Sequence, residues 1–176
     1  MAYPAAAIAN EFLELAKWKH AQLTQMQVQK LVFFSHGWNL ALRDEPLISE
    51  LFQAWEYGPV VRSLYSDLRQ YGSGPVTDPV REYEWNGGKF SYTVPSIGDG
   101  SNSEENVFTK ALIARVWETY GHLQGFQLSE ITHLSDAPWS QARENGDQFI
   151  PNDLIRDYFS GLKGKEDGRA EALEAV

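Results

Sequence analysis

The spacing of apolar residues constrains the fold of this chain more than any other feature. Over residues 25–42 they recur at helical spacing, and one face carries Val28, Leu31, Val32 and Trp38. Thr24 precedes this run, and Gln27 lies three positions after Thr24. This is a capping-box pattern, in which each side chain satisfies an orphan amide at a helix start. We therefore predict a helix from about residue 25 to residue 42.

Other segments with a helical period predict further helices. Pro59 suits the first turn of a helix, where its missing amide is not needed, and glycine commonly ends helices. A serine at a helix start is a good N-cap. We predict these helices over residues 5–19, from Gly58-Pro59 to Gly72, from Ser103 to Gly121, from Ser129 onward and from Asn152 onward.

Residues 73–103 lose the helical period, because glycine, proline, serine and aspartate are dense there. Asn86-Gly87-Gly88 separates two runs in which aromatic and polar residues alternate, and its glycines supply the positive φ of a tight hairpin. A lone hairpin is only marginally stable in water, so we expect its aromatic face to pack on the helices. The predicted fold is mainly α (α+β), a compact helical domain with a small antiparallel β-hairpin packed on it.

The length of 176 residues predicts one domain, over residues 1–160, followed by a flexible C-terminal tail over residues 161–176. The polar, acidic segment 98–106 is expected to be a mobile loop. The chain has no cysteine, which excludes disulfides, thiolate zinc sites and a cysteine nucleophile. Since no run reaches the ~18 apolar residues of a membrane span and the first residues do not resemble a signal peptide, we expect a cytoplasmic protein.

The sequence gives little support to enzymatic chemistry. Neither G-x-G-x-x-G nor G-x-x-x-x-G-K-[ST] is present, and the histidines lack a recognised metal-ligand spacing, so we predict no cofactor and no metal. Ser129, His133 and Asp136 lie close together and leave a hydrolase as the alternative. A helix N-cap explains Ser129 better, because no G-x-S-x-G turn is present and catalytic triads usually combine distant segments.

Three short stretches carry more pattern than packing requires. They read M-Q-V-Q-K-L-V-F-F-S-H-G-W at residues 26–38, F-Q-A-W-E-Y-G-P-V-V-R-S-L-Y at residues 52–65, and L-S-E-I-T-H followed by A-P-W within residues 128–139. In this order and with these gaps they resemble the Panacea domain of SocA-like and phage GepA-like proteins. The resemblance covers about residues 8–145. Phe34 stands where a tyrosine is frequent and Val32 where a leucine is frequent, and both departures are mild.

The resemblance implies a non-enzymatic antitoxin of a bacterial or phage toxin–antitoxin system, which binds and neutralises a cognate protein toxin. It also implies an adaptor role, in which the toxin is delivered to a Clp-type AAA+ protease. No membrane partner follows from it. The residues that it marks for toxin binding or for the motif itself are Gln29, Lys30, Trp38, Trp55, Tyr57, Gly58, Pro59, Val60, Tyr65, His133 and Trp139.

The net charge of −9 disfavours a nucleic-acid partner, because an acidic chain repels phosphate at long range. The basic cluster at residues 17–20 nevertheless leaves a DNA-binding regulator of the operon as a further alternative. Among the motif residues, at least one of the pair 29–30 should face outward, and we interpret Lys30 as a solvated helix residue. The alternative is that Lys30 belongs to a polar network, either facing the toxin or within the molecule. Trp55 and Tyr57 are expected to pack their turn into the core, and the alternative is a binding hot spot. His133 is expected to hydrogen-bond within the fold.

Overall fold

The computed structural model describes residues 2–98 and 103–163. This part of the chain contains seven α-helices: α1 (Ala5–Trp18), α2 (Gln25–Arg43), α3 (Arg62–Leu68), α4 (Glu104–Tyr120), α5 (Gly125–Thr132), α6 (Pro138–Asn145) and α7 (Asn152–Lys163). It also contains four short strands: β1 (Gln53–Trp55), β2 (Gly58–Val60), β3 (Glu82–Asn86) and β4 (Lys89–Thr93). The prediction of a mainly α fold with minor β structure is confirmed.

Helix α2 lies at the centre of the domain. Every residue from Gln27 to Leu40 is buried, as expected for a helix that has neighbours on all sides. The predicted capping box is present: the Thr24 hydroxyl accepts a hydrogen bond from the Gln27 amide at 3.4 Å, and Gln27 Oε1 accepts one from the Thr24 amide at 2.9 Å. Because α1, α4, α5, α7 and β2 all pack against α2, its side chains position the other elements.

Helix α7 packs on α2 through aromatic side chains. Phe159 is buried, and its ring centroid lies 5.3 Å from that of Trp38 and 6.0 Å from that of Phe33. Edge-to-face pairs of this kind add to the stabilisation that burial itself provides. Trp38, although it belongs to the first motif, is therefore a core residue.

The segment around Gly58-Pro59 forms a strand, so the predicted helix start there is wrong. β1 and β2 pair antiparallel with Ala54 opposite Pro59, and α3 begins only at Arg62. Proline is accepted here because β2 is an edge strand of this hairpin, where a missing amide leaves no ladder incomplete. The predicted helix stop is confirmed, since a 3₁₀ turn over Arg69–Tyr71 ends at Gly72.

Ser129 lies inside a helix and does not open one, so that prediction is also wrong. α5 begins at Gly125, where Gln124 and Gln127 form the capping box. Ser129 is buried, and its hydroxyl is used in a long-range hydrogen bond that local sequence does not reveal. α6, which has Pro138 in its first turn, was not predicted at all.

The β3–β4 hairpin forms where predicted, and Gly87 and Gly88 have positive φ. Its aromatic face does not pack on the helices, because all ten strand residues are exposed. Cross-strand pairs hold the face together: the ring centroids of Trp85 and Phe90 lie 4.7 Å apart. At its base, Asn10 of α1 hydrogen-bonds the main chain on both sides of the hairpin. The hairpin is thus fastened at its stem and projects from the domain.

Two predictions concern residues that are only partly described. Of the predicted mobile loop, residues 99–102 lie outside the described residues, and α4 begins at Glu104 with Ser103 as its N-cap. Of the predicted tail, residues 164–176 lie outside them, and residues 161–163 belong to α7. Within the two described ranges, no helix has both the length and the apolar character that crossing a membrane requires.

Candidate functional site

The first motif reaches the turn between β1 and β2 from α2. Gln29 Nε2 donates a hydrogen bond to the carbonyl oxygen of Val61 at 3.1 Å, and Gln29 Oε1 accepts one from the amide of Val61 at 2.9 Å. Lys30 Nζ donates to the carbonyl oxygen of Pro59 at 3.2 Å. Two neighbouring side chains of α2 therefore hold the main chain of β2 and of Val61, the residue that follows it.

The third motif reaches the same turn from α5. Ser129 Oγ donates a hydrogen bond to the carbonyl oxygen of Tyr57 at 2.9 Å. His133 Nε2 lies 3.1 Å from the carbonyl oxygen of Glu56. His133 thus hydrogen-bonds within the fold, as the sequence predicts.

Helix α6 completes these contacts. Trp139 Nε1 donates to the carbonyl oxygen of Trp55 at 2.7 Å, and its ring centroid lies 3.8 Å from that of His133. Arg143, which lies outside the motifs and was missed by the sequence analysis, donates to the carbonyl oxygen of Ala54 at 3.3 Å. No local pattern marks this arginine, because only the packing of α6 against β1 brings it to the turn.

Together these side chains form a set that we name the turn clamp: Gln29, Lys30, Ser129, His133, Trp139 and Arg143. They hold main-chain groups of residues 54–57, 59 and 61. Hydrogen bonds to main-chain groups do not depend on which side chains the turn carries. The turn clamp therefore fixes the main-chain shape of the turn and leaves the turn's own side chains to make other contacts.

Gly58 is required at the centre of the clamped turn. Its φ is +106°, a conformation that side chains with a Cβ rarely adopt. A Cβ at this position would lie 2.6 Å from Thr132 Oγ1 and 2.8 Å from Lys30 Cε. Glycine therefore allows both α5 and α2 to approach the turn closely.

Both residues of the pair Gln29 and Lys30 are buried, so the expectation that one faces outward is wrong. Lys30 is 1% exposed, and burial lowers its pKa from 10.5 to about 7. The interpretation of Lys30 as a solvated residue is wrong, because its ammonium group donates to a main-chain carbonyl oxygen inside the fold. Its apolar stem packs beside the turn, as lysine stems do when only the head needs a polar partner.

The aromatic residues of the turn are less buried than expected. Tyr57 is 63% exposed, although its carbonyl group is held by the clamp. Trp55 is half-buried; its ring meets that of Tyr65 with centroids 4.9 Å apart, and its Nε1 donates to Gln53 Oε1 at 2.6 Å. The turn therefore presents a fixed aromatic tip to solvent.

A cavity of about 710 Å³ lies beside the turn. Part of its wall consists of the motif residues Gln29, Lys30, Trp55, Tyr57, Val60 and Tyr65. Residues outside the three motifs complete it, among them Thr24, Gln25, Gly125 and Phe126. They join the site only because the start of α5 packs beside the start of α2, which no spacing in the sequence indicates.

The hydrolase alternative finds no assembled triad. Ser129 Oγ is directed at the carbonyl oxygen of Tyr57 and lies 3.5 Å from His133 Nδ1. Asp136 is exposed, and none of the hydrogen bonds of His133 in the described ranges involves it. Among the same residues, no group of three or more His, Asp or Glu side chains could hold a metal ion.

A family model described as antitoxin SocA-like, Panacea domain, matches residues 28–140, which is more than half of the chain. The chain belongs to this SocA-like family of Panacea domain antitoxins. Antitoxin SocA of Caulobacter vibrioides (strain NA1000 / CB15N) is 27% identical over 135 residues, which cover 77% of this chain and 68% of that protein. No solved structure gives a significant match. The resemblance inferred from the three motifs is thereby confirmed.

Proposed function

We propose that this protein binds a cognate protein toxin directly and neutralises it without catalysis. The observation that carries the proposal is its membership of the SocA-like antitoxin family. The convergence of the family motifs on one turn supports it, because that turn is rigid and carries an exposed aromatic side chain. A pre-organised surface loses little conformational entropy on association, so more of the contact energy becomes affinity.

The first toxin contact in this proposal is the tip of the clamped turn. Tyr57 and Phe126 are each 63% exposed, and both line the mouth of the cavity. Tyrosine and other aromatic residues are favoured at the centres of interfaces because they are large and rigid. The residues of the turn clamp, by contrast, contribute by positioning the turn.

The second contact in this proposal is the projecting β3–β4 hairpin. Its aromatic face is between 58% and 72% exposed at each of four positions, Tyr83, Trp85, Phe90 and Tyr92. Contiguous exposed apolar patches on soluble proteins mark interaction surfaces. Since the hairpin contributes little to the core, its sequence can change to suit a different toxin without disturbing the clamped turn.

Co-expression with the toxin encoded by the adjacent gene tests the proposal. We expect the full chain to restore growth and to co-purify with the toxin as a stable complex. If growth is not restored and no complex forms, the proposed function is wrong.

Variants of the two contacts locate the interface. Tyr57→Ser, and separately the pair Trp85→Ser and Phe90→Ser, should each weaken toxin binding by about tenfold or more, because hot-spot truncations cost about 2 kcal/mol or more. Trp18→Ser is the matched control, since Trp18 is an 83% exposed tryptophan at the end of α1. Equal affinity of all three variants for the toxin would place the interface elsewhere.

We further propose, from the family resemblance, that the protein delivers its toxin to a Clp-type protease. The toxin's half-life should then shorten when the antitoxin is co-expressed, and this effect should vanish in cells that lack the protease. Growth should in that case also fail in the protease-deficient cells. A toxin that stays long-lived and fully neutralised would show masking alone.

A further inference from the structure

The cavity beside the turn is built as a binding pocket. It lies between the first turn of α2, the first turn of α5 and the β1–β2 turn. Aromatic and thioether groups make up much of its wall, which includes Met26, Trp55, Tyr65 and Phe126. Its volume of about 710 Å³ falls in the range of small-molecule and peptide side-chain pockets.

Lys30 is one of the residues that line this cavity. The side chain is 1% exposed, and the carbonyl oxygen of Pro59 is the acceptor that the structure gives its Nζ. An ammonium group has three donors. Among the ion pairs formed by described residues, none includes Lys30. Burial brings the pKa of this amine to about 7, so it is an ammonium group below neutral pH. With donors to spare and no carboxylate partner, that ammonium group provides a place for an anionic group.

Two helix starts converge on the same wall. Gln25 and Met26 are the first two residues of α2, Gly125 and Phe126 are the first two of α5, and all four line the cavity. A Cβ at position 125 would lie 3.1 Å from Met26 Sδ, so glycine permits this close approach. The helix macrodipoles add partial positive charge to that of the ammonium group.

Gln25 adds a hydrogen-bond acceptor, whereas Lys30 supplies donors. Its Nε2 donates to the carbonyl oxygen of Gly72 at 2.8 Å, which fixes the orientation of the amide. Its Oε1 is buried and has no hydrogen-bond partner in the described structure. A buried acceptor without a partner is costly, so a ligand that brings an N–H group would be favoured there.

We propose that this cavity binds the C-terminal residue of a partner polypeptide. The terminal carboxylate would pair with Lys30 near the two helix starts, the residue's amide N–H would donate to Gln25 Oε1, and an apolar side chain would fill the aromatic part. The exposed Tyr57 and Phe126 flank the mouth through which the preceding residues would leave. This inference goes beyond the proposed function, because it assigns a ligand class that can be tested with no toxin present.

The test is a titration of the full chain with a hexapeptide that ends in Ala-Ala-Phe and has a free terminal carboxylate. Binding is measured through the tryptophan fluorescence of the protein. The same peptide with an amidated terminus is the matched ligand. We expect the free acid to bind at least about tenfold more tightly than the amide, since a charge-assisted pair is lost on amidation. Equal binding of the two peptides, or no binding of either, would overturn the proposal.

Lys30→Met should abolish this preference for the free acid, and Lys110→Met, at an exposed position on α4, should retain it. If Lys30→Met proves unfolded by circular dichroism, Gln25→Glu replaces it, because a carboxylate in the wall should repel the peptide terminus. If folded Lys30→Met, or Gln25→Glu in its place, still prefers the free acid, the proposal is contradicted. N-acetylphenylalanine that binds as tightly as the peptide would overturn the assignment to a polypeptide terminus.

Discussion

Gln29 and Lys30 show how single polar residues can be the most buried part of a functional motif. Each replaces water around a main-chain group of the turn, so neither is free to face solvent. Buried polar groups are stable only when they are paired, and these contacts allow a glutamine and a lysine to be buried in the central helix α2. At the residue scale, these two motif residues therefore act through their hydrogen bonds to the main chain of the turn.

Gly58→Ala should destabilise the protein strongly. The new Cβ would meet Thr132 Oγ1 and Lys30 Cε at less than 3 Å, in a backbone conformation with φ +106°. Strain and overpacking together should lower the free energy of unfolding by about 3 kcal/mol or more. Urea denaturation checks this as a lower midpoint at an unchanged slope.

Gly87→Ala is the matched control for that substitution. Gly87 also has positive φ, +57°, but no atom lies within 4 Å of the position of its Cβ. It should lose only about 1 kcal/mol, the ordinary penalty for a left-handed residue with a Cβ. Equal losses for the two variants would show that close approach at Gly58 is unimportant.

His36 should make stability fall with acid. Burial lowers its pKa from 6.5 to about 4, against the opposing effect of its hydrogen bond to Asn152. Its Nδ1 accepts a hydrogen bond from the amide of Ile48, so Nε2 carries the proton of the neutral ring. The unfolded chain takes up a proton between pH 6.5 and 4 that the folded state resists. Stability is therefore lost as the pH falls through this window, by up to about 3 kcal/mol.

The measurement is the free energy of unfolding of the wild type and of His36→Gln at several pH values from 7 to 3.5. Carboxylates titrate in the same range in both proteins, so the informative quantity is the difference between them. That difference should narrow steadily as the pH falls. Parallel curves would mean that His36 does not couple protonation to folding.

At the element scale, the β3–β4 hairpin depends on one side chain from a distant helix. Asn10 is buried; its Nδ2 donates to the carbonyl oxygens of Val80 and Pro95, and its Oδ1 accepts from the amide of Val80. These three bonds join both stems of the hairpin to α1. The strands themselves are exposed, so the orientation of the whole element rests on this anchor.

Asn10→Ala should therefore lower the free energy of unfolding by about 2–3 kcal/mol, because buried main-chain groups lose their partners. Amide hydrogen exchange across residues 80–95 should accelerate more than exchange in α2. Asn145→Ala, at an exposed position in α6, serves as the control and should change stability by less than about 0.5 kcal/mol. Uniform acceleration throughout the chain would mean that Asn10 supports the core in general.

At the scale of the whole molecule, the net charge of −9 predicts a basic toxin. Opposite charges steer diffusional encounter, so the association rate constant should fall about tenfold or more between ~0.02 M and ~0.5 M NaCl. The dissociation rate constant should change much less, since the contacts proposed for the bound state are aromatic. Stopped-flow mixing of the two proteins measures both constants. An association rate that does not respond to salt would contradict electrostatic steering.

Local sequence patterns predicted much of the secondary structure. They failed where long-range contacts determine the conformation of a segment. The capping box of Thr24 and Gln27 and the glycine turn at residues 87–88 depend on neighbours in sequence, and both are confirmed. Pro59 and Ser129 follow local rules for helix starts, yet each is held in another role by a distant partner. Local preferences amount to about 1 kcal/mol, and a buried hydrogen-bonded site outweighs them.

The sequence by itself determined the helical period, the hairpin, the absence of thiol chemistry and the three motifs that mark the family. Only the tertiary structure decided that these motifs clamp one turn, that Lys30 is buried beside a cavity, and that the aromatic hairpin faces solvent. The physical reason is that periodicity records which residues prefer burial, whereas a hydrogen bond between distant segments leaves no spacing behind. The contacts from Gln29 to Val61 and from Ser129 to Tyr57 exist only once α2, α5 and the turn have packed together.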